Sequence, residues 1–426
     1  MPPVKHDRQY DVVVFGATGY TGKYTAQYIT THLSTDLRWA VAGRSQEKLE
    51  DVVAGCQKLN PDRRQPGIEI CGLTDSDLAR LAKKTFIFIT TVGPYGKLGE
   101  HAFKACAENG THYLDVTGEV PFVAKMLKKY EAAAKASGAI MFPQIGIESA
   151  PPDLVTWSLA SFIRSEFSAD TRDVTVSIHT LKSAPSGGTF TTFVTFLDMY
   201  TLADLRAAYK PYALSPLPQP TSPQSRPAKP SLLTRLTGLV TVPGLGLLTT
   251  SIASSTDAAI VQRTWGLLAT LPSPRREQAY GPHFSFREYM RPRNWLHGIG
   301  LHFGLVLLRL VMVLPLWLRQ VVLRRWGHPP GEGPDTERAK MDEIEYRGVG
   351  RADRQGEGEE RAFCRAWFRG STYYLTGIFL AEAAATLLQE DVKLDGGVYT
   401  PACLGQPFID RLDRAGFHIE TKRLDS

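Results

Sequence analysis

Short apolar blocks alternate with longer amphipathic stretches through the first third of the chain. The blocks at 11–15, 37–42, 68–71, 86–91, 112–115 and 139–142 have strand length. Between them, 21–33, 99–109 and 120–137 carry apolar residues at three- and four-residue spacing, the period of a helix with one buried face. Strands separated by helices pair in parallel, because each helical crossover returns the chain to the same end of the sheet. The pattern predicts an α/β fold with a doubly wound Rossmann domain over residues 1–145.

Beyond it the pattern changes. A helix is expected at 153–163 and an alternating strand at 172–181, followed by Ser186-Gly187-Gly188-Thr189. Strand-like pieces return at 284–290, 343–349 and 363–369, so a second, sheet-containing domain is expected over 146–208 and 280–371. Residues 209–230 are rich in Pro and Ser and predict a linker. Residues 209–279 and 291–335 form a linker and an apolar, basic insertion, and 372–426 form the C-terminal part.

Two apolar stretches lie in that insertion. The first, 232–248, is broken by Pro243 and several glycines. The second, from Ile299 to Leu318, approaches the roughly 20 residues of a membrane span but contains His302, Arg309 and Pro315. An arginine at mid-span costs about 2.5–3.5 kcal/mol, which favours a helix lying on a surface over one crossing a bilayer. Arg291, Arg293, Arg319, Arg324 and Arg325, with Trp295, Trp317 and Trp326, flank the stretch as headgroup anchors would. A buried helix or a homodimer interface is the alternative.

Charge sharpens this picture. The whole chain of 426 residues carries +6, yet 209–330 alone holds 14 Lys and Arg against 3 acidic residues. A basic segment in an otherwise slightly acidic protein suits an anionic surface such as a membrane or lipid droplet and does not suggest nucleic-acid binding. The 5 cysteines have neither disulfide-framework nor zinc spacing. No metal site is expected. Nothing resembling a signal or transit segment precedes the first strand, so the expected location is intracellular, on the cytoplasmic face of such a surface.

The first predicted strand runs into Gly16-Ala17-Thr18-Gly19-Tyr20-Thr21-Gly22 and then a helix. Glycines at these places allow a tight turn, close approach of backbone amides to a pyrophosphate, and helix-to-sheet packing. The second strand ends at Gly43-Arg44-Ser45, where an acidic residue would bond a ribose 2'-hydroxyl. A guanidinium and a hydroxyl suit a 2'-phosphate instead, so NADP(H) is expected rather than NAD. The alternative is a surface arginine beside a helix-capping serine. The fourth strand ends at Val92-Gly93-Pro94-Tyr95, where a Gly-Pro turn passes near a nicotinamide. The fifth ends at Asp115-Val116-Thr117-Gly118-Glu119 on the same edge.

Tyr95, Asp115 and Glu119 are therefore candidate acids, bases or substrate ligands; the alternative is that the two carboxylates only cap a helix. No lysine follows a tyrosine by four residues, which removes short-chain dehydrogenase chemistry. Neither HExxH nor GxSxG occurs.

These motifs, with Gly146-Ile147-Glu148-Ser149-Ala150-Pro151-Pro152-Asp153-Leu154, together resemble the saccharopine dehydrogenase-like oxidoreductase family. Further pieces agree: Ser186-Gly187-Gly188-Thr189, Asp257-Ala258-Ala259, Gly331-Glu332-Gly333-Pro334 and Gly396-Gly397-Val398-Tyr399. The resemblance spans nearly the whole chain and implies an NADP-binding domain, a mixed-sheet α+β second domain, and a helix at 372–389 returning to the first domain. It is to the branch with trans-acting enoyl reductases of lipid biosynthesis and eukaryotic members associated with lipid droplets. It also makes Glu148, Gly188 and Thr189 candidate substrate residues. Where relatives carry Phe-Asp-Ser, this chain has Ile147-Glu148-Ser149, which keeps the carboxylate and lengthens it. The expected activity is reduction of a C=C or C=N bond in a lipid, polyketide or other hydrophobic or carrier-bound substrate. Saccharopine-type amino-acid chemistry, for which Lys97, Lys182 and Arg263 are the available cations, and a non-catalytic NADP-binding surface protein are the alternatives.

Overall fold

A computed structural model describes residues 6–220, 230–315, 317–319, 332–354 and 360–424. Arg324, Arg325, Trp326 and Gly331 lie outside the described residues.

In chain order the first domain comprises β1 (Tyr10–Phe15), α1 (Tyr20–His32), β2 (Trp39–Gly43), α2 (Gln46–Leu59), β3 (Gly67–Ile70), α3 (Asp75–Lys84) and β4 (Thr85–Thr90). The short α4 (Tyr95–Leu98), α5 (Glu100–Asn109), β5 (His112–Asp115), α6 (Val120–Ser137) and β6 (Ile140–Phe142) complete it. The strands are parallel in the order β6-β5-β4-β1-β2-β3. Both faces of this sheet are covered, so Val12, Val13 and Val14 are all fully buried and β1 shows no polar alternation. Ser45 and Thr74 cap α2 and α3 with their hydroxyls. The order reverses between β1 and β4, opening a crevice at the carboxyl ends of those strands, where such sheets bind ligands.

The second domain adds α7 (Ala150–Phe167), β7 (Thr171–Lys182), α8 (Gly187–Met199), α9 (Leu202–Ala208), α10 (Leu232–Thr237), β8 (Val240–Val242), β9 (Gly246–Thr250) and α11 (Ser254–Thr270). There follow β10 (Ser285–Met290), α12 (Trp295–Met312), α13 (Thr336–Ala339), β11 (Glu343–Ala352), β12 (Arg361–Arg369), α14 (Thr372–Gln389), β13 (Gly397–Val398), α15 (Gln406–Arg414) and β14 (His418–Leu424). Its sheet runs β14-β12-β11-β7-β10-β9-β8 and is mixed: β7 and β10 pair in parallel and the other pairs are antiparallel. Helix α7 lies against it at Gly348, where a Cβ would come within 2.8 Å of both Leu159 and Val155.

The C-terminal part stitches the two domains together. Helix α14 packs on α1 so closely that a Cβ at Gly377 would meet the Thr25 backbone nitrogen at 2.9 Å. The Tyr28 hydroxyl donates to Glu382 across that contact. Strand β13 extends the first sheet beside β6, and β14 closes an edge of the second.

The expectation that 209–279 is linker and insertion is corrected here. Helix α11 is core, with Ile260, Val261 and Leu268 fully buried. Strands β8 and β9 cover an edge of β10 that would otherwise leave backbone groups unpaired. Of the apolar stretches, α10 and α12 are the parts that stand out from the body.

Candidate active site

The turn between β1 and α1 is built from close approaches. Gly16 has φ +88°, a conformation that favours glycine, and a Cβ there would meet Val92 at 2.7 Å. A Cβ at Gly22 would sit 2.2 Å from the Gly16 carbonyl oxygen, and one at Gly19 would lie 3.2 Å from the same atom. No side chain caps α1 at Gly19, so the amides of its first turn are left for a ligand, with the positive end of the helix dipole behind them. The hydroxyls of Thr18 and Thr21 make no hydrogen bond among the described residues.

Tyr20 is placed differently from its neighbours. Its hydroxyl donates to the Pro334 carbonyl at 2.7 Å, and its ring stands edge-on to Tyr24 and Tyr373. The side chain thus joins the loop to the second domain, leaving its backbone amide for the crevice.

At the end of β2, Arg44 is exposed and has no hydrogen bond or ion pair among the described residues. Ser45 accepts from the Lys48 amide at 3.4 Å as the α2 cap. An unpaired guanidinium beside the glycine turn and the Cβ-excluding cradle fit a dinucleotide carrying a 2'-phosphate.

The three catalytic candidates are committed to holding the fold. Asp115 is fully buried and accepts from the Tyr113 hydroxyl at 2.7 Å and from the Thr117 and Gln144 amides at 2.9 Å each. Burial nevertheless pushes its carboxyl up to about 6. Glu119 accepts from the Tyr95 and Gly96 amides at 2.7 and 2.9 Å and from the Tyr200 hydroxyl at 2.5 Å, capping the start of α4. The Tyr95 hydroxyl donates to the Thr90 carbonyl at 3.0 Å, and burial drives its pKa well up. These hydrogen bonds fix the loops after β4 and β5, and with them Val92, Gly93 and Pro94.

Glu148 differs. It follows β6 on the same edge, is exposed to solvent, and has no hydrogen-bond partner among the described residues. Protein packs close on its other side; a Cβ on Gly118 would lie 2.7 Å from its Oε2. That packing, then the Glu119 carboxylate, raises its pKa. Its charge is felt by Tyr95, Tyr346 and Tyr373. Behind it, Asp257 and Glu288 are both buried, and the Ser251 hydroxyl donates to Glu288 at 2.6 Å. Burial, then its neighbour Glu288, pushes the Asp257 carboxyl well up.

Gly188 and Thr189 lie in the first turn of α8, with Ser186 as cap accepting from the Thr189 amide at 3.4 Å. Tyr373, which sequence reasoning missed, ties this turn down. Its hydroxyl accepts from the Ser186 amide at 2.5 Å and lies 3.1 Å from the Thr189 hydroxyl. Since Tyr373 also touches Tyr20, α8 is joined directly to the turn after β1. A motif in Tyr could not signal this, because Ser186 and Tyr373 are 187 positions apart.

The doubly wound sheet, the glycine turn and the unpaired Arg44 define an NADP-binding oxidoreductase. Comparison with known proteins agrees. Residues 12–142 match the saccharopine dehydrogenase NADP-binding domain. A Mycobacterium tuberculosis protein named "Putative trans-acting enoyl reductase" is 30% identical over 98% of this chain and 99% of its own length. A rat protein named saccharopine dehydrogenase-like oxidoreductase is 29% identical over 97% of each chain. A Caenorhabditis elegans protein named lipid droplet localized protein is 35% identical over 43% of this chain and 42% of its own. The fold is also that of apo saccharopine dehydrogenase (L-Glu forming) from Saccharomyces cerevisiae, with a TM-score of 0.52 over 97% of this chain and 99% of that one at 12% identity. The chain belongs to the saccharopine dehydrogenase-like oxidoreductase family.

Proposed function

We propose that this protein uses NADPH to reduce a C=C bond conjugated to a carbonyl, or a C=N bond, in a hydrophobic or carrier-bound substrate. One observation carries the reading: the groups around Glu148 are carboxyls, hydroxyls and aromatic rings, and two of the three cations considered for a dicarboxylate amino acid are engaged elsewhere. Lys182 pairs with Glu343 at 2.7 Å. Arg263 is buried and donates to the Leu214 and Val398 carbonyls and to Glu131. Lys97 is the remaining candidate, exposed on α4. An anionic substrate brought into this cleft would meet a carboxyl rather than a guanidinium.

The first-turn amides of α1, with Gly16, Thr18, Gly19, Thr21 and Gly22, hold the pyrophosphate; Arg44 and Ser45 hold the 2'-phosphate. Val92, Gly93 and Pro94 back the nicotinamide, which when bound supplies a hydride. The atom of the double bond next to the carbon reduced would then need a proton. Glu148, whose pKa is raised above the ordinary carboxylate value, delivers a proton there. Gly188 and Thr189 position the substrate across from it.

The test is NADPH oxidation by the purified protein, with a medium-chain trans-2-enoyl thioester in one arm and glutamate plus an amino-acid semialdehyde in the other. Turnover of the thioester alone supports the reading. Turnover of the amino-acid pair alone replaces it with saccharopine-type chemistry, and NADPH binding without turnover of either favours a non-catalytic role.

A further inference from the structure

Helix α12 is apolar on both faces, and the protein body covers one of them only in part, at its first turns. Its inner side is tied down: the Thr249 hydroxyl donates to the Gly298 carbonyl at 2.9 Å, and Thr250 and His302 are hydrogen-bonded at 2.8 Å. A Cβ on Gly298 would come within 2.5 Å of Leu239, so α12 rests on the segment that links α10 to β8. The opposite side carries Leu296, Phe303, Leu307 and Leu310, spaced by 7, 4 and 3 residues and thus along one stripe. Phe303, Leu307 and Leu310 are 57, 61 and 62% exposed. On α10, Leu232, Leu233 and Leu236 are likewise exposed, as are Trp295 and Trp317 near the two ends of the α12 segment. A helix apolar all round is ordinarily buried, and a patch of this extent marks an interaction surface.

Charge identifies what covers it. The residues 230–253 and 291–319 include no Asp or Glu. Arg235, Arg293 and Arg309 stand among the exposed apolar side chains with no ion pair to the described residues. A second copy of this chain brought face to face would set arginine against arginine without a counter-charge. A leaflet of anionic phospholipid offers acyl chains to the stripe, a headgroup layer to the tryptophans, and negative charge to the arginines.

Geometry decides how the segment sits. With 18 residues α12 is about 27 Å long, close to the thickness of a hydrocarbon core. Yet both ends of the apolar run are fastened to the same body. Gly298 and His302 hold the first end, and at the far end Arg319 is buried, donating to the Val194 carbonyl of α8 and to both oxygens of Asp198 at 2.7 Å each. A crossing helix would carry that end to the opposite side of the bilayer, away from α8. We infer that α10 and α12 form a monotopic docking face that embeds its outer stripe in a single anionic phospholipid leaflet without crossing it. The inference does not depend on the proposed reaction.

The experiment is flotation of the full chain with phosphatidylcholine vesicles, with and without phosphatidylserine, alongside F303Q/L307Q/L310Q and R235Q/R293Q variants. Glutamine preserves helix propensity, and these side chains already face solvent, so NADPH binding and thermal stability should match the parent and serve as folding controls. The expected result is flotation with anionic vesicles, about 100-fold weaker partitioning for the triple variant, and a several-fold loss for the arginine variant on anionic vesicles alone. With protein added outside sealed vesicles, Arg338 and Lys340, exposed just beyond the segment, should remain open to external trypsin.

Failure of the parent to float, unchanged flotation of the triple variant, or protection of Arg338 and Lys340 from external trypsin would overturn the inference. So would a dimer by light scattering that the triple variant abolishes.

Discussion

The turn after β1 and the turn after β5 leave the same edge of one sheet, but the first keeps its polar groups free and the second consumes them. After β1 there are three glycines, and α1 begins without a side-chain cap. After β5, Asp115 and Glu119 each accept three hydrogen bonds, several from loops distant in sequence. The difference separates a ligand-binding turn from a load-carrying one: unmet donors attract an anion, whereas a satisfied carboxylate holds backbone in place. Carboxylates near a nicotinamide edge thus read as catalytic in sequence and act here as fasteners. Glu148 is the carboxyl on that edge without a hydrogen-bond partner among the described residues.

The sharpest way to break the contrast is Gly22→Val. Its side chain has to enter space 2.2 Å from the Gly16 carbonyl, so NADPH affinity should fall by about 1,000-fold, about 4 kcal/mol, in a fluorescence titration. Retained affinity would mean that α1 need not close on Gly16. Asp115→Ala should act on the other turn. Orphaning one hydroxyl and two amides should cost about 3 kcal/mol of stability in urea denaturation, with NADPH affinity of the folded fraction little changed.

The pH dependence sharpens the same point. Burial raises Asp115 from 3.8 to about 6, so the folded state binds its proton more tightly than the unfolded state. The stability that this proton contributes is present at low pH and is lost as pH rises through about 6. At this group the loss between pH 4 and 6 is about 2 kcal/mol, because each tenfold difference in proton affinity between the two states corresponds to about 1.4 kcal/mol. Denaturation curves of Asp115→Asn should be flatter than the parent's across that window; an equal slope would show that Asp115 does not carry it. The smallest effect belongs to Arg44→Ala, which should weaken NADPH binding about tenfold, about 1.4 kcal/mol, and leave NADH binding unchanged. Equal loss for both nucleotides would remove Arg44 from the 2'-phosphate.

Much of the first domain was legible because its signals are local. The apolar blocks located all six strands to within about two residues, the ordinary uncertainty of element ends, and the glycine spacing marked the turn after β1. The insertion was harder. The broken apolar stretch from 232 to 248 has the composition of a surface segment, yet β8 and β9 within it pair along β10. Helix α11 lies in the span read as linker and insertion and is core because α7 and β10 pack on it. Those outcomes depend on partners that spacing along the chain does not specify.

By itself the sequence determined the parallel sheet, the dinucleotide turn and the preference for a 2'-phosphate, since sterics and hydrogen bonding within a few residues dictate them. Tertiary structure alone decided which acids are spent and which face of α12 is left bare. Glu119 meets Tyr200 across 81 positions, and Arg319 meets Val194 across 125. Whether a polar or apolar group is satisfied depends on what folding brings beside it, and contacts over such distances are settled by the packing of the whole chain.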